Sequence, residues 1–351
     1  MENWESYVRK VTPYVPGEQP DEPDMIKLNT NENPYPPAPG VRRALEGFCA
    51  DELRLYPQPD CRVLVEAIAE YYGLDSDQVF VGVGSDDVLA MTFLTFFNSK
   101  KPILFADITY SFYDVWADML KIPYEVRPLD DRFCIRKEDY YGENGGVVFA
   151  NPNAPTGIFL PLSEVEDIIE HNRDVIVVVD EAYIDFGGES ALPLIEKYDN
   201  LLVVQTFSKS RSMAGMRIGY AMGQPKLIRC LNDVKYSFNS YTMNRTALTL
   251  GVEAIRDRAY FEETRDKIIA TREWTKRELK RLGFSFGDSM SNFIFATHER
   301  VPAEEIFHAL KKAHIYVRYF SKERIDNYLR ISIGTPEEME VLIRFLEDYL
   351  G

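Results

Sequence analysis

Lys209 stands in the run Thr206-Phe207-Ser208-Lys209-Ser210-Arg211-Ser212-Met213-Ala214-Gly215-Met216-Arg217, among small hydroxyl residues and eight positions before an arginine. A primary amine condenses with an aldehyde, and hydroxyls with a guanidinium hold a phosphate beside it. Three other stretches carry groups that complement this pair. Val178-Val179-Asp180-Glu181-Ala182-Tyr183 puts a carboxylate at the end of an apolar run, suited to a cationic ring nitrogen. Its Tyr183, in the following turn, can reach a ring oxygen. Gly82-Val83-Gly84-Ser85-Asp86-Asp87 reads as a strand end turning into a helix, whose first N–H groups and Ser85 hydroxyl form a phosphate cradle. Asp87 takes the place of the third glycine of a dinucleotide fingerprint, and no Gly-Lys-Ser/Thr follows to make a P-loop. Asn151-Pro152-Asn153-Ala154-Pro155-Thr156-Gly157 reads as a tight turn whose amides can bond a ligand, although a purely structural turn has the same composition.

Pyridoxal phosphate carries the aldehyde, the phosphate and the ring that these four segments would serve, with its Schiff base on Lys209. The elements that must position them follow from the pattern of apolar runs. Val79–Val83, Ile103–Ala106, Val147–Ala150, Ile176–Val179, Leu201–Val204 and Ile218–Met222 are short, β-rich and apolar on both faces, as in a sheet covered by helices. Val88–Phe97, Phe112–Leu120 and Leu162–His171 have the helical period for that cover. If the strands run parallel, the four segments meet at their carboxyl ends, where open α/β sheets bind ligands. Tyr110 follows a strand and is placed to stack on the ring; Tyr56 lies in a loop without local core.

At 351 residues, two domains are expected. After Pro225 the chain turns to charge-laced helices, notably Ile255–Leu282, then strands at Ser291–Ala296, Tyr316–Tyr319 and Leu329–Ile333. Thr335-Pro336-Glu337-Glu338 opens the last helix with a capping box. The proline-rich first forty residues exclude a long helix or central strand and read as an extended arm or a loose tail. The expected division is therefore an arm over 1–40, a large cofactor-binding α/β domain over 41–250 and a smaller α+β domain over 251–351. A formal charge of −16 argues against nucleic acid and anionic membranes as partners. No stretch has the apolar length of a membrane span, and the first residues do not read as a signal peptide. Four scattered cysteines suit reduced thiols in a cytoplasm, and four histidines show no metal-ligand spacing, so no metal is expected.

With these residues in view, the chain resembles the fold-type-I pyridoxal-phosphate aminotransferases, and within them the histidinol-phosphate branch. The resemblance runs from Val11-Thr12-Pro13-Tyr14 and Leu28-Asn29-Thr30-Asn31-Glu32-Asn33-Pro34 to Leu329-Arg330-Ile331-Ser332-Ile333-Gly334-Thr335. It implies a mostly parallel seven-stranded sheet in a three-layer sandwich, a homodimer, and a site completed by the partner subunit. Lys209 would be the Schiff-base and proton-carrying lysine, Asp180 the partner of the ring nitrogen and Tyr183 that of the ring oxygen. Gly84, Ser85, Asp86, Thr206, Ser208 and Arg217 would line the phosphate pocket, joined by Tyr56 of the second subunit, with Tyr110 on the ring. Arg330 would take the substrate carboxylate, and Arg318, Tyr14 and Asn31 the rest of the substrate. The implied reaction exchanges L-histidinol phosphate and 2-oxoglutarate for imidazole-acetol phosphate and L-glutamate, a step of histidine biosynthesis. Threonine-phosphate decarboxylase and aromatic aminotransferases of the same fold stand as alternatives. One departure is Ala154, where many relatives carry the asparagine that bonds the ring oxygen; Asn153 is the candidate substitute.

Overall fold

A computed structural model describes residues 3–351. Its strands are β1 (Ile26–Leu28), β2 (Val79–Gly82), β3 (Ile103–Ala106), β4 (Tyr124–Arg127), β5 (Gly146–Ala150), β6 (Val177–Asp180), β7 (Leu201–Thr206), β8 (Gly219–Gly223), β9 (Phe284–Phe286), β10 (Phe293–His298), β11 (Ile315–Tyr319) and β12 (Leu329–Ser332). Seven of them form one sheet in the order β2-β8-β7-β6-β5-β3-β4, parallel except for β8, which runs antiparallel to both β2 and β7. The inner strands β5, β6 and β7 are buried at every position. Burial on both faces explains why they are apolar throughout rather than alternating. One side is packed by Leu64, Ile68, Val165, Ile168 and Leu248, the other by Val88, Phe93, Trp116 and Leu231. The result is the expected α/β three-layer arrangement.

Strand β4 is an edge strand with a part-exposed pattern, and its Tyr-Glu-Val-Arg sequence gave no apolar run to find. The five remaining strands form a second sheet, β1-β11-β12-β10-β9, antiparallel except that β1 runs parallel to β11. Part of the proline-rich arm is thus a strand of the smaller sheet, with Leu28 buried in that sheet's core. The long helix expected over Ile255–Leu282 is Arg258–Arg281, preceded by a separate helix, Arg245–Arg256. Asp257 interrupts them, its side chain accepting from Tyr260 N at 3.2 Å as an N-cap. The first helix buries Ala247, Leu250 and Ile255 with the large sheet; the second sends Ile268 and Leu279 into the core of the small one. The two helices thus contribute to different cores. The capping box at Thr335 forms as read, with Thr335 N donating to Glu338 Oε2 at 2.7 Å.

Candidate active site

Strands β5, β6 and β7 release Asn151, Asp180 and the segment after Thr206 at one sheet edge, because all three run parallel. Antiparallel β8 brings Arg217 to the same edge from the opposite direction, since Gly219 pairs with both Thr206 and Gly82. A cavity of about 110 Å³ there is lined by Ser85, Asp86, Tyr110, Asp180, Tyr183, Thr206, Ser208, Lys209 and Arg217, with three alanines. Asp180 is buried, accepting from Tyr113 Oη at 2.9 Å and from Ala182 N at 3.2 Å. Burial raises its carboxyl from 3.8 to about 6, against the pull of those two donors. Next in the chain, Glu181 faces away into a network of Ser190, Gln205 and Ala191 N, and burial raises it from 4.5 to about 7.

At the other end of the cavity, Arg217 donates to Asp86 Oδ2 at 2.9 Å and Tyr110 Oη to Asp86 Oδ1 at 2.6 Å. Arg217 has left-handed backbone, φ 54°, and its Nη1 lies 3.4 Å from Ser208 Oγ. Ser208 N in turn donates to Thr206 Oγ1 at 3.1 Å. Gly84 has φ 82°, and a Cβ there would lie 2.5 Å from Arg217 Nη2. Only glycine lets the helix N-terminus come this close to the guanidinium.

A second cavity, of about 180 Å³, shares Tyr110, Ala154, Tyr183 and Lys209 with the first and opens toward the small domain. Its far wall is Tyr14, Asn31, Arg318, Phe320 and Arg330. Arg318 and Arg330 are register partners on β11 and β12, with guanidinium carbons 5.5 and 5.7 Å from the centre of the Phe320 ring. Arg330 donates to Asn29 O at 3.0 Å, while its Nε is buried without a partner. Burial, with Arg318 adding to it, pulls its guanidinium below the usual range. Neither arginine forms an ion pair with a carboxylate among the described residues. Two neighbouring cations without counterions make an anion site. Tyr14 reaches this wall by stacking on Phe112, ring centroids 4.2 Å apart.

The family described as aminotransferase class I and II matches residues 23–346. The chain belongs to the class I and II aminotransferases. It is 53% identical over 348 residues to the histidinol-phosphate aminotransferase of Lactococcus lactis subsp. cremoris, covering 99% of this chain and 98% of the relative. The same enzyme of Clostridium botulinum is 53% identical over 340 residues, 97% of this chain and 96% of the relative. In fold, the chain is similar to the histidinol-phosphate aminotransferase of Sinorhizobium meliloti in complex with pyridoxal-5'-phosphate, with a TM-score of 0.84, 24% identity, and 93% of this chain and 90% of that one covered.

The donor set of this aminotransferase fits pyridoxal phosphate. Asp180 is a buried carboxylate with no cation beside it, and a protonated ring nitrogen would supply one. Arg217, Ser208, Ser85 and the helix N-terminus at Gly84 gather at the opposite end, as a phosphate requires. Lys209 lies between, Nζ donating to Thr30 O at 3.2 Å and 5.7 Å from the centre of the Tyr183 ring.

Two of the residues named from sequence line neither cavity of this chain: Asn153, expected in this chain's own site, and Tyr56, expected in that of the second subunit. Asn153 lines neither cavity; its Nδ2 donates to Ile108 O at 2.9 Å and Thr156 Oγ1 at 3.0 Å, and its Oδ1 accepts from Thr109 at 2.8 Å. With both ends of the amide engaged, it staples the turn instead of facing a ligand. Tyr56 is 79% exposed, outside both cavities of this chain, its ring 4.7 Å from that of Tyr241. Conversely, residue-by-residue reading missed how much of 29–33 converges here. Asn33 Nδ2 donates to both Lys209 O and Ser210 O at 3.1 Å, while the carbonyls of Asn29 and Thr30 receive Arg330 and Lys209. The clustering of polar residues in Asn29-Thr30-Asn31-Glu32-Asn33 was the available signal.

Proposed function

We propose that the chain catalyses the reversible transamination between L-histidinol phosphate and 2-oxoglutarate, giving imidazole-acetol phosphate and L-glutamate. The observation that carries this reading is the adjacency of the two cavities. An amine, Lys209, sits on their shared wall, between a cofactor-shaped set of groups and a pair of unpaired arginines. When bound, pyridoxal phosphate supplies an aldehyde for amine exchange and a ring that takes up the electron pair left by Cα–H cleavage.

The chain's own residues supply the rest. Asp180, fixed by Tyr113 and Ala182 N, would hold negative charge beside the ring nitrogen and keep it protonated. Arg217, Ser208 and the first turn after Gly84 would hold the phosphate, and Tyr110 would lie against the ring. Lys209 Nζ would take up and return the proton of the substrate's Cα. Arg330 and Arg318 bind the phosphate of one substrate and the carboxylates of the other, so one cleft serves both in turn. Asn29, Thr30, Asn31 and Tyr14 line the cleft on the substrate side.

We read the arm, the large domain and the small domain as units divided near residues 40 and 257. We also place the protein in the cytoplasm as a homodimer in which Tyr56 completes the partner's phosphate pocket. Its exposure, with the exposed Leu53 and Leu55 close in sequence and the exposed Tyr241 against its ring, supports that arrangement. No helix among the described residues is long and apolar enough to cross a membrane. Among them, no group of three or more His, Cys, Asp or Glu is placed to hold a metal ion.

The test is a half-reaction. Histidinol phosphate alone should bleach the cofactor's visible absorbance and release one equivalent of imidazole-acetol phosphate. Adding 2-oxoglutarate should restore the colour and yield glutamate. Release of carbon dioxide from O-phosphothreonine, with no response to glutamate, would overturn the reading in favour of a decarboxylase.

A further inference from the structure

Tyr183 can serve a ring oxygen only if its hydroxyl proton points into the cofactor cavity, and three hydrogen bonds among Ser332, Asn31 and Tyr183 decide that direction. Asn31 N donates to Ser332 Oγ at 2.9 Å, which occupies that oxygen as an acceptor. The hydroxyl proton of Ser332 then goes to Asn31 Oδ1, 3.0 Å away. With its oxygen end engaged, the Asn31 amide presents Nδ2 to Tyr183 Oη at 2.9 Å. An amide nitrogen only donates, so the phenol accepts there and its own proton is left for the cavity that Tyr183 lines. All three residues are buried, so water does not compete for these groups. Asn31 reaches this position with φ 55°, a left-handed conformation that asparagine tolerates better than most residues. Its carbonyl is held by Asn292 Nδ2 at 3.0 Å, which adds a second anchor from the small domain.

Ala154 sits in the wall of both cavities and offers no amide to the ring oxygen. Asn153 is committed to its own turn. We infer that Ser332 and Asn31 are positioning residues that orient the Tyr183 hydroxyl toward the cofactor's ring oxygen, doing through Tyr183 what an asparagine at 154 would do directly. The arrangement spans the two halves of the molecule, because Ser332 belongs to β12 and Tyr183 follows β6. The inference rests on the cofactor reading above.

The experiment is a pH titration of the bound cofactor's absorbance in the substrate-free holoenzyme. A hydroxyl donating to the ring oxygen stabilises its deprotonated form and lowers the midpoint of the colour change. Tyr183→Phe should raise that midpoint by about one pH unit, the equivalent of one hydrogen bond to a charged oxygen. Asn31→Ala should raise it by a similar amount, and Ser332→Ala by less, because the amide can then turn over. Adding Asn31→Ala to Tyr183→Phe should cause no further shift, which a general loosening of the site would not reproduce. Asn31→Ala combined with Ala154→Asn should return the midpoint toward wild type. An Asn31→Ala enzyme that binds cofactor and titrates like wild type would overturn the inference, as would full additivity with Tyr183→Phe. Wild-type protein that takes up no pyridoxal phosphate would overturn the functional reading instead. Those two failures are therefore distinguishable.

Discussion

The cofactor side and the substrate side of the cleft are built on opposite electrostatic plans. On the large-sheet side, each charged group has a partner: Asp86 with Arg217 and Tyr110, Asp180 with Tyr113, Glu181 with Gln205 and Ser190. On the small-sheet side, Arg318 and Arg330 share one aromatic ring and no carboxylate. Prepaid geometry suits a resident group that stays through turnover, whereas uncompensated charge suits anions that must enter and leave. The buried carboxylates Asp180 and Glu181 lie on the side where a cationic ring would sit, and the two arginines without counterions on the side where phosphate and carboxylates would bind.

The largest test of this division removes the amine on the shared wall. Lys209→Ala should lower kcat by about 10³-fold or more and abolish the lysine-dependent visible absorbance, while both sides keep their folded geometry. Activity and colour that persist would dissolve the distinction altogether.

A second test asks whether only the cofactor side titrates. Asp180 and Glu181 are raised to about 6 and about 7 from 3.8 and 4.5. In the cofactor-free protein, the folded state therefore holds more protons than the unfolded chain over that window. Stability should fall as pH rises from about 4 to about 7, by up to about 3 kcal/mol per group. Asp180→Asn and Glu181→Gln should each flatten the profile, read by thermal unfolding of the cofactor-free protein; a slope unchanged in both would refute the assignment. Arg330→Lys should leave the slope intact.

Third, Arg330→Lys should reduce kcat/KM for both histidinol phosphate and glutamate by about 10 to 100-fold, because an ammonium cannot form the guanidinium fork. Cofactor affinity, measured by fluorescence titration, should stay within a few-fold of wild type; a large loss there would merge the two sides. The smallest effect is expected from Phe320→Leu, a rise in KM of about two- to five-fold from slackened arginines, with kcat nearly unchanged. A kcat that fell with an unchanged KM would place Phe320 in the chemistry.

The comparison also shows what could be read before folding. Apolar runs on both faces announced β2, β3, β5, β6, β7 and β8 to within two residues, because burial on both sides leaves no choice of residue type. The same signal was missing at β4, an edge strand, and at β1, three residues inside a proline-rich arm. Lys209, Asp180, Tyr183, Ser85, Asp86, Ser208 and Arg217 converge as anticipated, since parallel strands deliver their carboxyl ends to one edge. Asn153 did not follow, because sequence adjacency to a binding turn cannot say which way an amide points.

Sequence by itself determined the sheet, the chemical groups at its edge and the family to which the chain belongs, all of which depend on residue type and short-range order. Tertiary structure alone decided that Asn29, Thr30, Asn31 and Asn33 would meet Arg330, Lys209 and Tyr183, across separations of 152 to 301 residues. It likewise decided that Arg318 would face Arg330 without a counterion. The physical reason is that hydrogen-bond direction and charge compensation are properties of neighbours in space, and β1 acquires its neighbours only by pairing with β11 at the other end of the chain.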